Sequence, residues 1–247
     1  MTWSERGYQL PRRHHQDATY SRKVFIGGLP PDFDSAKLVQ SFQGCGSVRA
    51  IKKPGKGHAY IILESNDHVK SLLSRCQRSV SGDFYFSIVG RATQVIPWAE
   101  QDSEWGTEFT SPRTNTIFVG ALHGQTTAEH VKIIMEDRFG QVRFVKIDTD
   151  SYNYPNGSAR VQFVFHESYC AAINVNILRV VTKDYERNIQ LEPFFEKNIP
   201  CSRRCGSMSS VICRHYLCLQ YFCRACHRIH QNQQSENRDL HKPIGLL

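Results

Sequence analysis

Cysteine and histidine are concentrated at one end of this chain. Six of its nine cysteines lie between Cys201 and Cys226, in the stretch CSRRCGSMSSVICRHYLCLQYFCRACHRIH that ends at His230. A tail this small and polar buries too little apolar surface to fold unaided, so a cross-link or a bound metal is expected to hold it. The N-terminus has no apolar segment typical of a signal peptide, which favours a reducing compartment and metal binding over disulfides.

The spacing of the tail provides eight candidate ligands, the number that two tetrahedral zinc ions need. We expect the pairs to interleave, which gives an all-thiolate site and a mixed site. The members are Cys201, Cys205, Cys223 and Cys226 in the first site, and Cys213, Cys218, His230 and His241 in the second. Because all eight ligands come from the protein, no position is left for a catalytic water. His215 and His227 lie in the same stretch but outside this ligand set.

The charge balance of the chain favours an anionic partner. The sequence has 31 lysines and arginines against 23 aspartates and glutamates, a net charge of +8. Such a balance suits nucleic acid or a membrane surface and does not choose between them. No apolar stretch is long enough to predict a transmembrane helix.

Upstream of the tail, a βαββαβ pattern occurs twice. An internal repeat of roughly 90 residues indicates two copies of one domain rather than a solenoid. The expected fold is therefore α+β, with two ferredoxin-like domains followed by a small cross-braced two-zinc module. The predicted boundaries are a flexible N-terminal arm (1–22), a first domain (23–98), a linker (99–115), a second domain (116–197) and the zinc module (198–247).

Aromatic side chains are expected on the face of the first sheet that points away from the helices. In KGHAYIIL (56–63), period-two alternation directs Ala59, Ile61 and Leu63 inward and the intervening residues outward. Unstacked bases and phosphates require aromatic platforms beside cationic loops. The candidate stacking residues are Phe25, His58 and Tyr60, with the rings at 25 and 60 side by side and bare to solvent, and the candidate phosphate contacts are Lys23, Lys52, Lys53 and Lys56.

The second copy carries fewer rings on the corresponding face. Ser158 and Arg160 stand where the first copy has His58 and Tyr60, which leaves Phe118 as the platform. Arg160 is expected to stack through its guanidinium plane or to contact phosphate. A sheet face covered by a protein is the competing interpretation.

Several stretches resemble known families. VFIGGL (24–29) and KGHAYIIL are similar to the paired RNP2 and RNP1 segments of an RNA recognition motif (RRM), with His58 where Phe or Tyr is usual. The tail resembles a ZZ-type zinc module. In this order the modules closely resemble the C-terminal half of the cytoplasmic polyadenylation element-binding proteins, through SRKVFIGGLP (21–30), TQVIPW (93–98), TIFVGALHGQTTAEH (116–130), DTDSYNYPNGSARVQF (148–163) and CLQYFCRACHRIH (218–230).

The resemblance implies a translational regulator without enzymatic activity. It implies binding to single-stranded, U-rich elements in mRNA 3′ untranslated regions and control of translation and poly(A) tail length. Regulatory proteins would be recruited through the second RRM or the zinc module, in the cytoplasm, with nuclear shuttling left open and no membrane partner. Family members carry a long N-terminal regulatory region, so this chain is expected to be a fragment or a member without its own regulatory arm.

Two alternatives remain. The second RRM and the zinc module could form a protein-interaction scaffold for which RNA binding is incidental. A RING-like ubiquitin ligase is disfavoured, because the cluster ends in a histidine pair rather than a cysteine pair.

Overall fold

The chain divides into two compact units, each containing one large sheet. A computed structural model describes residues 1–5, 10–11, 17–107, 115–234 and 238–245. The first-sheet unit comprises Arg13–Ser103 and Thr149–Asn156, and the second-sheet unit comprises Met1–Arg12, Glu104–Asp148 and Gly157–Leu247. Across the described residues, none of the helices has the length and apolar character that crossing a bilayer requires.

Strands dominate the described part of the chain. In chain order they are β1 (Thr2–Ser4), β2 (Lys23–Gly27), β3 (Ser47–Ile51), β4 (His58–Leu63), β5 (Gln77–Arg78), β6 (Phe84–Ile88), β7 (Arg91–Ile96), β8 (Glu104–Gly106), β9 (Thr116–Gly120), β10 (Val142–Thr149), β11 (Pro155–Phe163), β12 (Ile177–Val181), β13 (Glu186–Pro193), β14 (Val211–Cys213), β15 (Tyr221–Phe222) and β16 (Pro243–Gly245). The α-helices are α1 (Ser35–Ser41), α2 (Asn66–Arg75), α3 (Ala128–Phe139), α4 (His166–Val175) and α5 (Arg224–Gln233).

The first sheet has the strand order β3-β4-β2-β7-β6-β5, with β2 antiparallel to both β4 and β7. Side chains from α1 and α2 fill a core against one face of this sheet. The core includes Val24, Ile26, Leu38, Ala59, Ile61, Leu63, Val69 and Leu72, all almost completely buried. The inward positions predicted from alternation are thus confirmed, because a period of two places every second residue of β4 against the helices.

The second sheet has the order β1-β12-β13-β9-β11-β10-β8, which again places the first and third strands of the repeat, β9 and β11, at its centre. The fold class is therefore the predicted one: two ferredoxin-like α+β domains and a small terminal module. Strand β12 was not predicted. The pattern of SYCAAINVNI predicts a helix over 168–177. In the structure α4 ends at Val175, Asn176 adopts a φ of 63°, and β12 then forms a hairpin with β13.

Two segments predicted to be irregular contain strands. Thr2–Ser4, within the predicted flexible arm, pairs in parallel with β12, and Trp3 is 2% exposed. Glu104–Gly106, within the predicted linker, pairs antiparallel with β10. A single buried tryptophan gives no periodic signal in the sequence, so the strand was not predicted. Burial of its side chain contributes roughly as much to the free energy of folding as burial of any other core side chain. Residues 6–9 and 12–16 of the predicted arm and 108–114 of the predicted linker lie outside the described residues.

The C-terminal module combines a three-stranded sheet, ordered β15-β14-β16, with α5. Its core is small. The buried members of that core are Cys201, Val211, Cys213, Phe222 and Cys226, so that most of them are thiols rather than aliphatic side chains. The core of the module is thus formed largely by the cysteines that the sequence analysis names as candidate metal ligands.

Candidate nucleic-acid interface and metal centre

Three rings stand together on the face of the first sheet opposite the helices. Phe25 is the cross-strand partner of Tyr60, and Gly27 is the partner of His58. The Phe25 ring stacks on His58 with centroids 5.3 Å apart and planes at 21°, and it meets Tyr60 edge to face at 5.6 Å and 76°. All three residues are half-buried. They form a continuous aromatic surface with Phe25 at its centre.

The segment Thr149–Asn156 of the first-sheet unit contacts this same surface. Tyr154, which is buried, meets Tyr60 edge to face at a centroid distance of 5.4 Å. Lys23 Nζ donates a hydrogen bond to Asp150 Oδ2 at 2.7 Å and lies 4.4 Å from the centroid of the Tyr60 ring. No sequence signal points to this arrangement, because Asp150 lies 127 positions along the chain from Lys23.

The structure bears on two expectations for this face. Lys23 was expected to line phosphates; its side chain is 16% exposed and its ammonium group is paired with Asp150, and its contact with phosphate remains a prediction. The rings of Phe25 and Tyr60 were expected to be bare to solvent, but both are half-buried, since they contact each other and Tyr154 covers an edge of Tyr60. Neither ring is turned toward the helices, so the aromatic surface is retained.

Asp150 is held in its ionised form. Burial raises its pKa. The hydrogen bonds from Lys23 and from the backbone N–H groups of Tyr152 and Tyr154, together with the charge of Lys23, lower it by a larger amount. The net result is a pKa below the ordinary value for an aspartate. An ionised Asp150 is what keeps the Lys23 ammonium group over the Tyr60 ring.

The loop between β3 and β4 supplies the cationic rim. Lys53 and Lys56 are exposed, whereas Lys52 Nζ donates to the backbone oxygens of Pro31 at 2.6 Å and of Lys56 at 3.0 Å. These two hydrogen bonds fix the loop. The assignment of these three lysines to phosphate contacts remains a prediction.

The corresponding face of the second sheet is built from one ring and charged groups. Phe118 pairs with Arg160 on one side and with Glu192 on the other. The Arg160 guanidinium lies over the Phe194 ring at 5.5 Å from its centroid, with its Nε 3.6 Å from Asp148 Oδ1. The Arg160 guanidinium, which was predicted to stack on a base, therefore lies against the Phe194 ring of the protein itself.

Two glutamines that sequence reasoning did not single out lie beside these platforms. Gln94 on β7 pairs with Gly27, and Gln190 on β13 pairs with Gly120. The repeats do carry a signal, because QVIP (94–97) and QLEP (190–193) end the last strand of each copy with the same Gln-x-x-Pro spacing. Aligning the two repeats with each other would have found both residues.

The four cysteines of the predicted all-thiolate site lie together. The sulfur atoms of Cys201, Cys205, Cys223 and Cys226 are all within 4.8 Å of one another, and those of Cys205 and Cys223 are 3.7 Å apart. Zinc–sulfur bonds of about 2.3 Å in a tetrahedron give sulfur–sulfur edges of about 3.8 Å. Cys223 is the N-cap of α5, which places Cys226 one turn along the helix.

The predicted mixed site is also assembled. Cys213 at the end of β14, Cys218, His230 on α5 and His241 before β16 bring their ligand atoms within 4.8 Å of one another. The Cys213 sulfur is 3.3 Å from His241 Nδ1, and the Cys218 sulfur is 3.5 Å from His230 Nε2. His230 therefore offers Nε2 and His241 offers Nδ1. His215 and His227 join neither group; His215 stacks on the His241 ring at 4.4 Å, and His227 is buried beside Phe222.

The protonation chemistry of these donors suits zinc. Burial is the main cause that lowers the pKa of His230 and of His241, which favours the neutral imidazole that binds metal. The hydrogen bond between Cys213 and Cys218 lowers the pKa of Cys218 to about 7 and raises that of Cys213. Backbone and thiol hydrogen bonds lower the pKa of Cys205 to about 6, and the hydrogen bond with Cys205 raises that of Cys226 to about 12, so one thiol of each pair ionises well before its partner. Thiolate and neutral imidazole are the ligands that structural zinc takes. The two clusters therefore fit zinc in donor type, number and separation.

The zinc module contacts the end of the second sheet through Tyr221. Its hydroxyl donates to the Phe194 carbonyl at 3.2 Å and accepts from the Glu196 N–H at 3.2 Å. Phe194 is also the residue whose ring lies under Arg160. Within the second-sheet unit, Phe194 therefore contacts the zinc module through its carbonyl and Arg160 of the sheet face through its ring.

Comparisons with known proteins agree with this arrangement. Residues 21–97 match the family model of the RNA recognition motif, and residues 187–245 match that of the cytoplasmic polyadenylation element-binding protein ZZ domain. Among solved structures, the C. elegans NONO-1 homodimer aligns with 75% of this chain and 67% of that chain at 17% identity and a TM-score of 0.30. The fold assignment therefore depends on the strand order and on the family models rather than on that likeness.

Similarity to curated relatives extends over nearly the whole chain. Cytoplasmic polyadenylation element-binding protein 1 of Danio rerio is 36% identical over an alignment 275 positions long, which covers 99% of this chain and 47% of that protein. Cytoplasmic polyadenylation element-binding protein 3 of Caenorhabditis elegans is 33% identical and covers 96% of this chain and 37% of that protein. The chain thus spans half or less of the length of these relatives. With RRM domains followed by a ZZ zinc module, the chain belongs to the cytoplasmic polyadenylation element-binding protein family.

Proposed function

We propose that this chain binds single-stranded, U-rich elements in mRNA 3′ untranslated regions and regulates translation and poly(A) tail length, without an enzymatic activity of its own. The observation that carries the proposal is the aromatic surface of Phe25, His58 and Tyr60 beside a lysine-rich loop. A half-buried ring cluster on an open sheet face is a platform on which bases stack. The curated relatives are named for binding the cytoplasmic polyadenylation element.

Each residue has a stated role in this proposal. Phe25, His58 and Tyr60 stack bases in the first RRM (23–98), and Phe118 and Arg160 extend the path in the second (116–197). Lys52, Lys53 and Lys56 contact phosphates. Lys23 acts indirectly, because its ammonium group is paired with Asp150 and holds the Tyr60 ring from above.

The zinc module (198–247) is proposed to bind two zinc ions and to recruit regulatory proteins in the cytoplasm. The all-thiolate and mixed clusters each supply four donors, which is a full tetrahedral set. When bound, zinc supplies folding free energy rather than chemistry, since no ligand position is open to water. Residues 1–22 are proposed to form an N-terminal arm and residues 99–115 the linker between the RRMs, with the strands β1 and β8 paired with the second sheet.

An unbiased selection of RNA sequences by the full chain, with zinc content measured on the same sample, tests the proposal. Enrichment of U-rich single-stranded sequences, together with about two zinc ions per chain, is the expected outcome. A selected pool without uridine enrichment would contradict RNA recognition. A zinc content near one or zero would contradict the assignment of both clusters.

A second candidate function is a protein-interaction scaffold. It is favoured by apolar side chains that the zinc module leaves in solvent: Leu217 is 75% exposed and Met208 is 62% exposed. A pull-down with the full chain and its Leu217→Asp, Met208→Asp double variant would discriminate. Loss of a protein partner in the double variant, with unchanged RNA binding, would support the scaffold role. A wild-type chain that retains the protein partner but shows no preference for uridine would favour the scaffold role over the RNA-binding role.

A further inference from the structure

Both RRM sheets contain the same three-residue arrangement. In the first, a Cβ added to Gly27 would lie 3.1 Å from Phe25 Cε1 and 3.8 Å from Gln94 Oε1. In the second, a Cβ added to Gly120 would lie 3.0 Å from Phe118 Cε1 and 3.4 Å from Gln190 Oε1. In each sheet, therefore, the absence of a glycine side chain lets an aromatic ring and a glutamine amide approach the same point.

The amide groups of both glutamines are available to a ligand. Within the part of the chain that the structure describes, neither the Gln94 nor the Gln190 side chain makes a hydrogen bond. Gln94 is half-buried and Gln190 is exposed. Both amides are reached by water in the free chain, and a base can replace that water with hydrogen bonds of its own. An amide without a partner at the edge of a stacking platform is placed to pair with the base that stacks there.

We propose that Gln94 and Gln190 read the Watson–Crick edge of a uracil stacked on Phe25 and on Phe118, respectively. This inference rests on the proposed RNA-binding function and adds the residues that select the base. Stacking alone tolerates any base, since every base has a π-face. Uracil presents an N3–H donor flanked by carbonyl acceptors, and a glutamine amide offers the complementary acceptor and donor.

The pairing uses both ends of the amide. Oε1 accepts from the uracil N3–H and Nε2 donates to the adjacent uracil carbonyl, so a leucine, which offers neither group, loses both hydrogen bonds. The same ring, glycine and glutamine recur in two sheets that differ at most other positions of this face.

The test compares the full chain, loaded with zinc, on short oligouridine and oligocytidine at one fixed salt concentration. The variants are Gln94→Leu, Gln190→Leu and Gln94→Glu. The control is Gln40→Leu, an exposed glutamine on α1 at the opposite side of the first sheet. Thermal unfolding of each variant checks that the fold is kept.

Each leucine variant should lose about tenfold or more in oligouridine affinity with little change for oligocytidine, the value of one bidentate base contact. Gln94→Glu, which only accepts, should shift the preference toward cytosine. Wild-type uridine preference in both leucine variants would overturn the inference and leave RNA binding intact. A wild-type chain that binds neither oligonucleotide would overturn the proposed function and this inference together.

Discussion

The two RRM sheets keep the same central ring and the same glutamine but surround them differently. In the first, Phe25 lies among His58, Tyr60 and Ile96. In the second, the corresponding ring, Phe118, lies between Arg160 and Glu192. The ring and the glutamine that both sheets retain are suited to hold one base. The residues around the ring, which differ, determine whether additional affinity for RNA comes from stacking or from charge.

This difference has an energetic consequence. An aromatic surface gains free energy from ring contact, which salt barely screens, whereas a guanidinium that contacts phosphate releases counterions and loses affinity as salt rises. Arg160 is also partly neutralised by Asp148. We therefore expect the rings of the first sheet to contribute most of the affinity, and the salt dependence to come from the lysine-rich loop (Lys52, Lys53 and Lys56) and, to a smaller extent, from Arg160.

The largest effect on stability should come from loss of zinc. It should destabilise the second-sheet unit and leave the first sheet unchanged. Cys213→Ser removes a ligand of the mixed site and should cost the module most of its metal-linked folding free energy, of order 10 kcal/mol for a complete site. Through Tyr221 and Phe194 the loss should reach the second sheet. Hydrogen exchange should then show faster exchange in β14 and at the end of β13, with β2 and β4 unchanged. Cys170→Ser, at a thiol outside both clusters, is the matched control.

Ring removal should have the next largest effect and compares the platforms directly. Phe25→Ala combined with His58→Ala should weaken oligouridine binding by about a hundredfold, because base stacking contributes about 1–3 kcal/mol per base. Phe118→Ala should weaken it about tenfold. Fluorescence titration measures both. Phe165→Ala removes an exposed ring elsewhere and should change nothing. Equal losses from the two sheets would show that the surrounding rings contribute no affinity.

The pair formed by Asp150 and Lys23 should stabilise the first-sheet unit alone. Asp150→Asn should destabilise it by about 1.5–3 kcal/mol, the range for a hydrogen bond to a charged group. The pKa of Asp150 is lowered in the folded state, so its contribution is complete above the unfolded value of about 4 and is lost as the pH falls through the folded value.

The difference between wild type and Asp150→Asn, followed by hydrogen exchange at Lys23–Gly27 in urea, should therefore shrink as the solution is acidified. Asp32→Asn, at an exposed turn, should show no such difference at any pH. A difference that persists in acid would mean that packing of the segment, rather than the carboxylate, provides the stabilisation.

The smallest effects should come from single lysines of the rim. Lys53→Ala and Lys56→Ala should each weaken RNA binding similarly for all sequences and reduce the slope of log affinity against log salt by about 0.7. Binding measured over a salt series gives the slope. A change in base preference, with the slope unaffected, would assign these lysines to base contacts instead.

Much of the site was predictable because its signals are local. Alternation in β4 determines which face receives His58 and Tyr60. The spacing of the tail predicts two sets of four candidate ligands, and the structure brings the members of each set together. The boundaries of α4 and the strand β12 were less accessible, because Asn176 adopts a left-handed φ that a helical pattern does not reveal. Gln94 and Gln190 were accessible only by comparing one repeat with the other.

By itself, the sequence determined the fold class, the two sheet faces and the ligand sets, since periodicity and spacing are properties of neighbouring residues. Only the tertiary structure decided that Lys23 pairs with Asp150, that Tyr154 covers an edge of Tyr60 and that Trp3 brings a strand to the second sheet. These contacts join residues far apart in the chain. Their stability comes from burial and charge pairing that exist only after the sheets have formed.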